Sequence, residues 1–168
     1  STQVQLPATA PAPVHVAPYV ATEGPRVHEA LALAECGPND VVLDIGCGDG
    51  RVAFAAVRDR GARAAIGWDI DIGLLSTARE EAPENLSFVW MDCMAEATLA
   101  VLEERLLNEV TLVYLFMLPA AIRHLEGTLI SCLERRPLLR VVTRRFHLEG
   151  VNPRLQEGEL CVYGGQPQ

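Results

Sequence analysis

The residues best suited to chemistry lie in three short runs, each closing an apolar stretch. The first reads Asp44-Ile45-Gly46-Cys47-Gly48-Asp49-Gly50 and leads into a helical pattern from Arg51. Glycines at alternate positions permit a tight turn and let a ligand approach backbone with no Cβ in the way. A helix behind them adds free N–H groups and the positive end of its dipole, suited to a carboxylate or phosphate. A dinucleotide fingerprint, G-x-G-x-x-G, would put its third glycine at position 51, but that residue is Arg51 and the third glycine is Gly50. The spacing therefore gives no sign of a pyrophosphate site. The second run is Gly67-Trp68-Asp69-Ile70-Asp71. An acid at such a strand end can accept from both ribose hydroxyls, which suits Asp69, whereas Asp71, directly before the next helix, suits an N-cap. The third run is Trp90-Met91-Asp92-Cys93, where Asp92 is open to two readings, ligand-facing acid or loop cap.

Positioning these runs requires an alternation of strands and helices. Apolar runs at 41–45, 64–70, 86–91, 110–116 and 139–146 alternate with helical patterns at 51–60, 72–82, 94–107 and 120–135. Short apolar runs separated by helices of ten or more residues mean crossover units and a buried, mostly parallel sheet. A helix opening near Pro25 and stopping at Gly37-Pro38 precedes the series, and a strand at 159–163 follows it. The first eighteen residues carry Pro7, Pro11, Pro13 and Pro18 and little apolar periodicity, so 1–18 is expected as an extended arm and 19–168 as one α/β domain. In such an open sheet, ligands bind beyond the carboxyl ends of the strands, where the strand order reverses. All three runs lie at strand carboxyl ends.

Here the sequence resembles the class I S-adenosylmethionine-dependent methyltransferases, whose first motif is D/E-x-G-x-G-x-G. The resemblance implies a Rossmann-like sandwich, a mostly parallel sheet of six to seven strands with helices on both faces. It implies S-adenosyl-L-methionine as cofactor, held by Asp44, Gly46, Cys47, Gly48 and Gly50 of the loop. It further implies the ribose on Asp69 and Ile70, and the adenine on Asp92 and the backbone N–H of Cys93. More narrowly, the chain is similar to small protein-lysine methyltransferases of archaea and animal mitochondria. Their P-F-V-P-T/S, D-x-G-C-G-D-G-R, G-x-E-x-D and L-Y-L-L-P motifs align with Pro18–Thr22, Asp44–Arg51, Gly67–Asp71 and Leu115–Pro119. Ala21, Asp69 and Phe116 depart from them, and the end of the chain leaves room for one clear strand where that family has two. The resemblance implies a protein lysine as acceptor, with Tyr19 and Phe116 as the acceptor-side, catalytic residues.

Composition restricts the alternatives. At 49% hydrophobic and 21% charged, the chain is of ordinary globular type. Twenty-two acids against fourteen bases give a net charge of −8, which argues against a nucleic-acid partner. Every base is arginine; the chain has no lysine. Five cysteines without C-x-x-C spacing fit a reduced, intracellular protein, cytoplasmic or mitochondrial. No apolar run reaches the ~18 residues of a membrane span. The four histidines have no metal-ligand spacing, so no metal is expected. The chain begins at Ser1, so a removed targeting segment would leave no trace. A monomer is expected. Arg135-Arg136 and Arg144-Arg145 read most simply as solvated turns, with an acidic acceptor surface as the alternative for the second pair. Two rival functions stay open: methyl transfer to a small molecule or RNA, and a noncatalytic domain that keeps the cofactor fold.

Overall fold

The alternation forms as the apolar pattern requires. The computed structural model describes residues 23–165, so the arm expected at 1–18 and the motif at 18–22 fall outside the described residues. Within them the order is α1 (Gly24–Leu33), β1 (Val41–Ile45), α2 (Arg51–Arg58), β2 (Ala64–Asp69), α3 (Ile72–Glu81) and β3 (Leu86–Trp90). Then come α4 (Glu96–Asn108), β4 (Leu112–Leu115), α5 (Pro119–Arg135), β5 (Arg140–Arg144), β6 (Leu155–Glu157) and β7 (Leu160–Gly164). The strands form a seven-stranded sheet in the order β3-β2-β1-β4-β5-β7-β6. The first five are parallel, and β7 and β6 turn back antiparallel.

Alternate residues of each strand face opposite layers. Val42, Ala65, Phe88, Tyr114, Val142 and Val162 pack with α1, α2 and α3 in one buried cluster. Leu43, Trp68, Leu115, Val141 and Tyr163 pack with α4 and α5 in the other. All five residues of β1 are buried, as a central strand covered on both faces must be. Helices therefore lie on both faces of the sheet.

Three local details differ from the expectation. α1 stops at Leu33, ahead of Gly37-Pro38, because Glu35 takes a left-handed backbone (φ 56°). The Glu35 amide donates to the Ala32 carbonyl at 3.0 Å and the Cys36 amide to that of Leu31 at 2.9 Å, the paired bonds of a Schellman ending. α4 starts at Glu96 rather than Met94, because the Asp92 carboxylate accepts from the Met94 amide at 2.9 Å and holds that segment as a turn. The end of the chain holds two strands, not one. β6 is three exposed residues joined to β7 through Gly158-Glu159, with Gly158 at φ 56°, and so carries no buried face for periodicity to detect.

Register levels the strand ends. Ile45 pairs with Trp68 and with Leu115, Trp68 with Val89, and Leu115 with Thr143. The residues just beyond these positions share one end of the sheet, and the order reverses there between β1 and β4.

Candidate active site

The glycine loop leaves β1 at that reversal. Gly46, Gly48 and Gly50 take φ of 75°, 57° and 85°, a region that β-carbon sterics close to most residues. Gly46 also lies against the next loop, where any Cβ would strike the Met117 sulfur. The loop is pinned to its neighbour: the amides of Gly46 and Cys47 both donate to the Trp68 carbonyl at 2.8 Å, and the Gly50 amide donates to the Cys47 carbonyl at 2.9 Å.

Asp69, ending β2, joins this loop to the next one. One carboxylate oxygen accepts from the Gly48 amide and the other from the Asp71 amide, each at 2.8 Å. A carboxylate offers about four lone-pair sites, so two N–H bonds leave capacity for a pair of hydroxyls. Asp71 caps α3 as expected, accepting from the Leu74 amide at 3.0 Å. The Ile70 carbonyl accepts from the Trp90 indole at 3.0 Å, bracing the ends of β2 and β3 together.

Asp44 is 2% exposed, and its Oδ2 has no hydrogen-bond partner among the described residues. Burial foremost, then the negative charges of Asp69 and Asp49, pushes its carboxyl up to about 8. Such a group holds its proton at neutral pH unless a cation meets it. Burial likewise pushes the Cys47 and Cys93 thiols well above their ordinary range. Burial thus favours the neutral thiol at both, and Cys47 lies buried within the glycine loop.

Asp92 is half-buried and makes the loop cap, through the Met94 amide. Thr98 donates its hydroxyl to the Asp92 carbonyl at 2.5 Å, which fixes the turn. Phe116 follows β4, half-buried against the α1–α3 layer. The guanidinium of Arg144, ending β5, lies 4.8 Å from the Phe116 ring centroid. Tyr19 falls outside the described residues.

Asp44, Gly46, Cys47, Gly48, Gly50, Asp69, Ile70, Asp92, Cys93 and Phe116 thus all lie at or just past the carboxyl ends of four adjacent strands. Arg144 is a correction: it is not a solvated turn, since its side chain is 13% exposed. Its signal was the strand alternation, which puts 142 and 144 on one face of β5. Arg136 is likewise half-buried, donating to the carbonyls of Leu106 and Val110. Met117 under Gly46 and the Trp90 indole had no signal in composition or spacing.

Three comparisons bear on this arrangement. Residues 42–126 match the model of a methyltransferase domain. A protein of Saccharolobus islandicus (strain REY15A), named a protein-lysine N-methyltransferase, is 31% identical over 137 residues, 82% of this chain and 81% of that one. A ribosomal protein L11 methyltransferase of Cupriavidus taiwanensis is 29% identical over 77% of this chain, which spans 45% of that protein. Among solved structures, an RNA methyltransferase from Salinibacter ruber in complex with S-adenosyl-L-homocysteine superposes with a TM-score of 0.69 at 28% identity, over 89% of this chain and 95% of that one.

Proposed function

The chain belongs to the class I S-adenosylmethionine-dependent methyltransferases, and from that premise we propose that it methylates the side-chain amine of a lysine in another protein. The observation that carries the lysine reading is the Saccharolobus islandicus relative, similar over four-fifths of both chains.

The cofactor is S-adenosyl-L-methionine, and the residues at the strand ends fit it. Asp44 offers a buried, unpartnered oxygen to an ammonium. The left-handed glycine loop carries no side chain at Gly46, Gly48 or Gly50, so a ligand can come close to its backbone. Asp69 has lone pairs left for the ribose hydroxyls, and Asp92 with the Cys93 amide takes the adenine edge. When bound, the cofactor supplies an electrophilic sulfonium methyl.

On the acceptor side the chain's task is to desolvate and aim an amine. An ammonium has no lone pair, so the lysine must first lose its proton. From a pKa of ~10.4 that costs about 4.6 kcal/mol at pH 7. An apolar wall at Phe116, to which the family resemblance adds Tyr19, lowers this cost by disfavouring the charged form. Alignment of the neutral nitrogen with the methyl carbon contributes most of the rest. With the cofactor bound, its methyl would pass from sulfur to the neutral nitrogen as the C–S bond breaks, leaving a methylated ammonium; the one proton released is that lost by the lysine beforehand.

The test is incubation with methyl-labelled cofactor and a protein extract, followed by acid hydrolysis. Release of labelled methyl-lysines from a protein band supports the reading. Label in nucleic acid would instead support RNA methylation, the second reading, which rests on the Salinibacter ruber likeness and runs against the net charge of −8.

A further inference from the structure

We propose that Arg144 is a specificity-determining residue that binds a carboxylate of the acceptor polypeptide beside the methylated lysine; this rests on the lysine reading above. Three observations at the end of β5 carry it. The Arg144 Nη1 is buried and has no hydrogen-bond partner among the described residues. A charged donor buried without a partner is costly unless a ligand completes it. The Phe116 ring beneath the guanidinium, at 4.8 Å, helps fix the plane in which the N–H fork points. Glu159 lies 3.6 Å from the Arg144 Nε and 3.8 Å from the Arg145 Nε, so one carboxylate is shared between two guanidiniums. The group keeps a net positive charge on a chain whose total is −8.

A guanidinium with an unpartnered Nη1 and surplus positive charge selects a carboxylate over a neutral carbonyl. Phe116, the proposed acceptor wall, touches the same guanidinium. β4 separates β5 from the glycine loop of β1. Both facts point to the acceptor, not the cofactor, as the source of that carboxylate.

The experiment uses two randomised peptide pools centred on one lysine, with glutamate fixed on both flanks in one and glutamine in the other. The wild-type protein is expected to methylate the glutamate pool with about tenfold higher kcat/KM, the worth of one charge-assisted hydrogen bond. Arg144→Gln should collapse that ratio towards one while S-adenosylhomocysteine affinity, read by calorimetry, is kept. Glu159→Gln, a change at a half-exposed turn residue, should widen the ratio by freeing the guanidinium. It keeps the test decisive even if Arg144→Gln unfolds. A wild-type ratio near one, or a ratio unmoved by either substitution, overturns the inference and leaves lysine methylation standing. Loss of S-adenosylhomocysteine affinity in a folded Arg144→Gln protein would overturn it too, assigning the arginine to the cofactor's own carboxylate. Cofactor binding with neither pool methylated would sink the lysine reading, and this inference with it.

Discussion

The Asp69 carboxylate lies 2.8 Å from the Gly48 amide, so one side chain both ends β2 and holds the glycine loop. This gives Asp69→Ala two effects: it removes acceptors for the ribose and it unfastens the loop. Charge-assisted hydrogen bonds are worth about 1.5–3 kcal/mol each, so the affinity for S-adenosylhomocysteine should fall at least tenfold. Calorimetry on the purified protein measures it. Undiminished affinity would place the ribose elsewhere.

If Asp44 meets the ligand's ammonium as proposed, cofactor binding should depend on pH. Its folded-state carboxyl, raised to about 8 from 3.8, must give up a proton to meet the ligand's ammonium. Affinity should therefore climb between pH 6 and pH 8, by up to about tenfold per unit, and level off above. The same shift acts on stability with a defined sign. Between about pH 4 and pH 8 the folded protein holds a proton that the unfolded chain does not, so stability contributed by Asp44 declines as pH rises through that window. Asp44→Asn should raise the melting temperature of the ligand-free protein at pH 8, flatten the pH dependence of binding and weaken it. Calorimetry across pH 6–8 that gives one constant affinity would show that no ligand cation meets Asp44.

Legibility in the sequence followed local rules. The glycine loop, the Asp71 cap and the central strands were readable because each is fixed within a few residues by glycine conformation, capping or continuous burial. Asp92 shows the limit. Its cap is visible in the structure, but a cap and a ligand contact use the same carboxylate, and spacing cannot separate them. Arg144 shows another. Two adjacent arginines read as a solvated pair, yet strand alternation buries one and exposes the other. Register then sets the buried one against Phe116, across a pairing between residues about thirty positions apart in the chain. β6 went unread because pairing with β7, not any buried face of its own, makes it a strand.

Glu35 offers a test of the fold apart from the site. It holds φ 56° at the end of α1 with an exposed side chain, where a β-carbon costs about 1–2 kcal/mol. Glycine would relieve this, less the entropy its unfolded chain gains. Glu35→Gly should raise stability by about 0.5–1 kcal/mol, or roughly 2 °C in Tm, with cofactor affinity unchanged. Destabilisation in a urea titration would mean that the glutamate side chain contributes more than its backbone strain costs.

The absence of lysine from the chain gives the acceptor assignment a clean control. Purified, tag-free protein with methyl-labelled cofactor has no side-chain lysine to modify, so it should yield no labelled methyl-lysine by itself. Adding a protein extract should then label other bands, and their hydrolysates should contain methyl-lysines. Phe116→Ala sharpens the result. If the ring walls an apolar acceptor channel, its loss should lower turnover by tenfold or more, as amine desolvation and alignment both suffer. Its effect on S-adenosylhomocysteine affinity should stay within about twofold, because the cofactor's ammonium, ribose and adenine are assigned to Asp44, Asp69 and Asp92. Equal losses of turnover and cofactor affinity would put Phe116 in the cofactor pocket instead. Label recovered as methyl-arginine or methyl-histidine, with cofactor binding intact, would keep the methyltransferase and replace its acceptor.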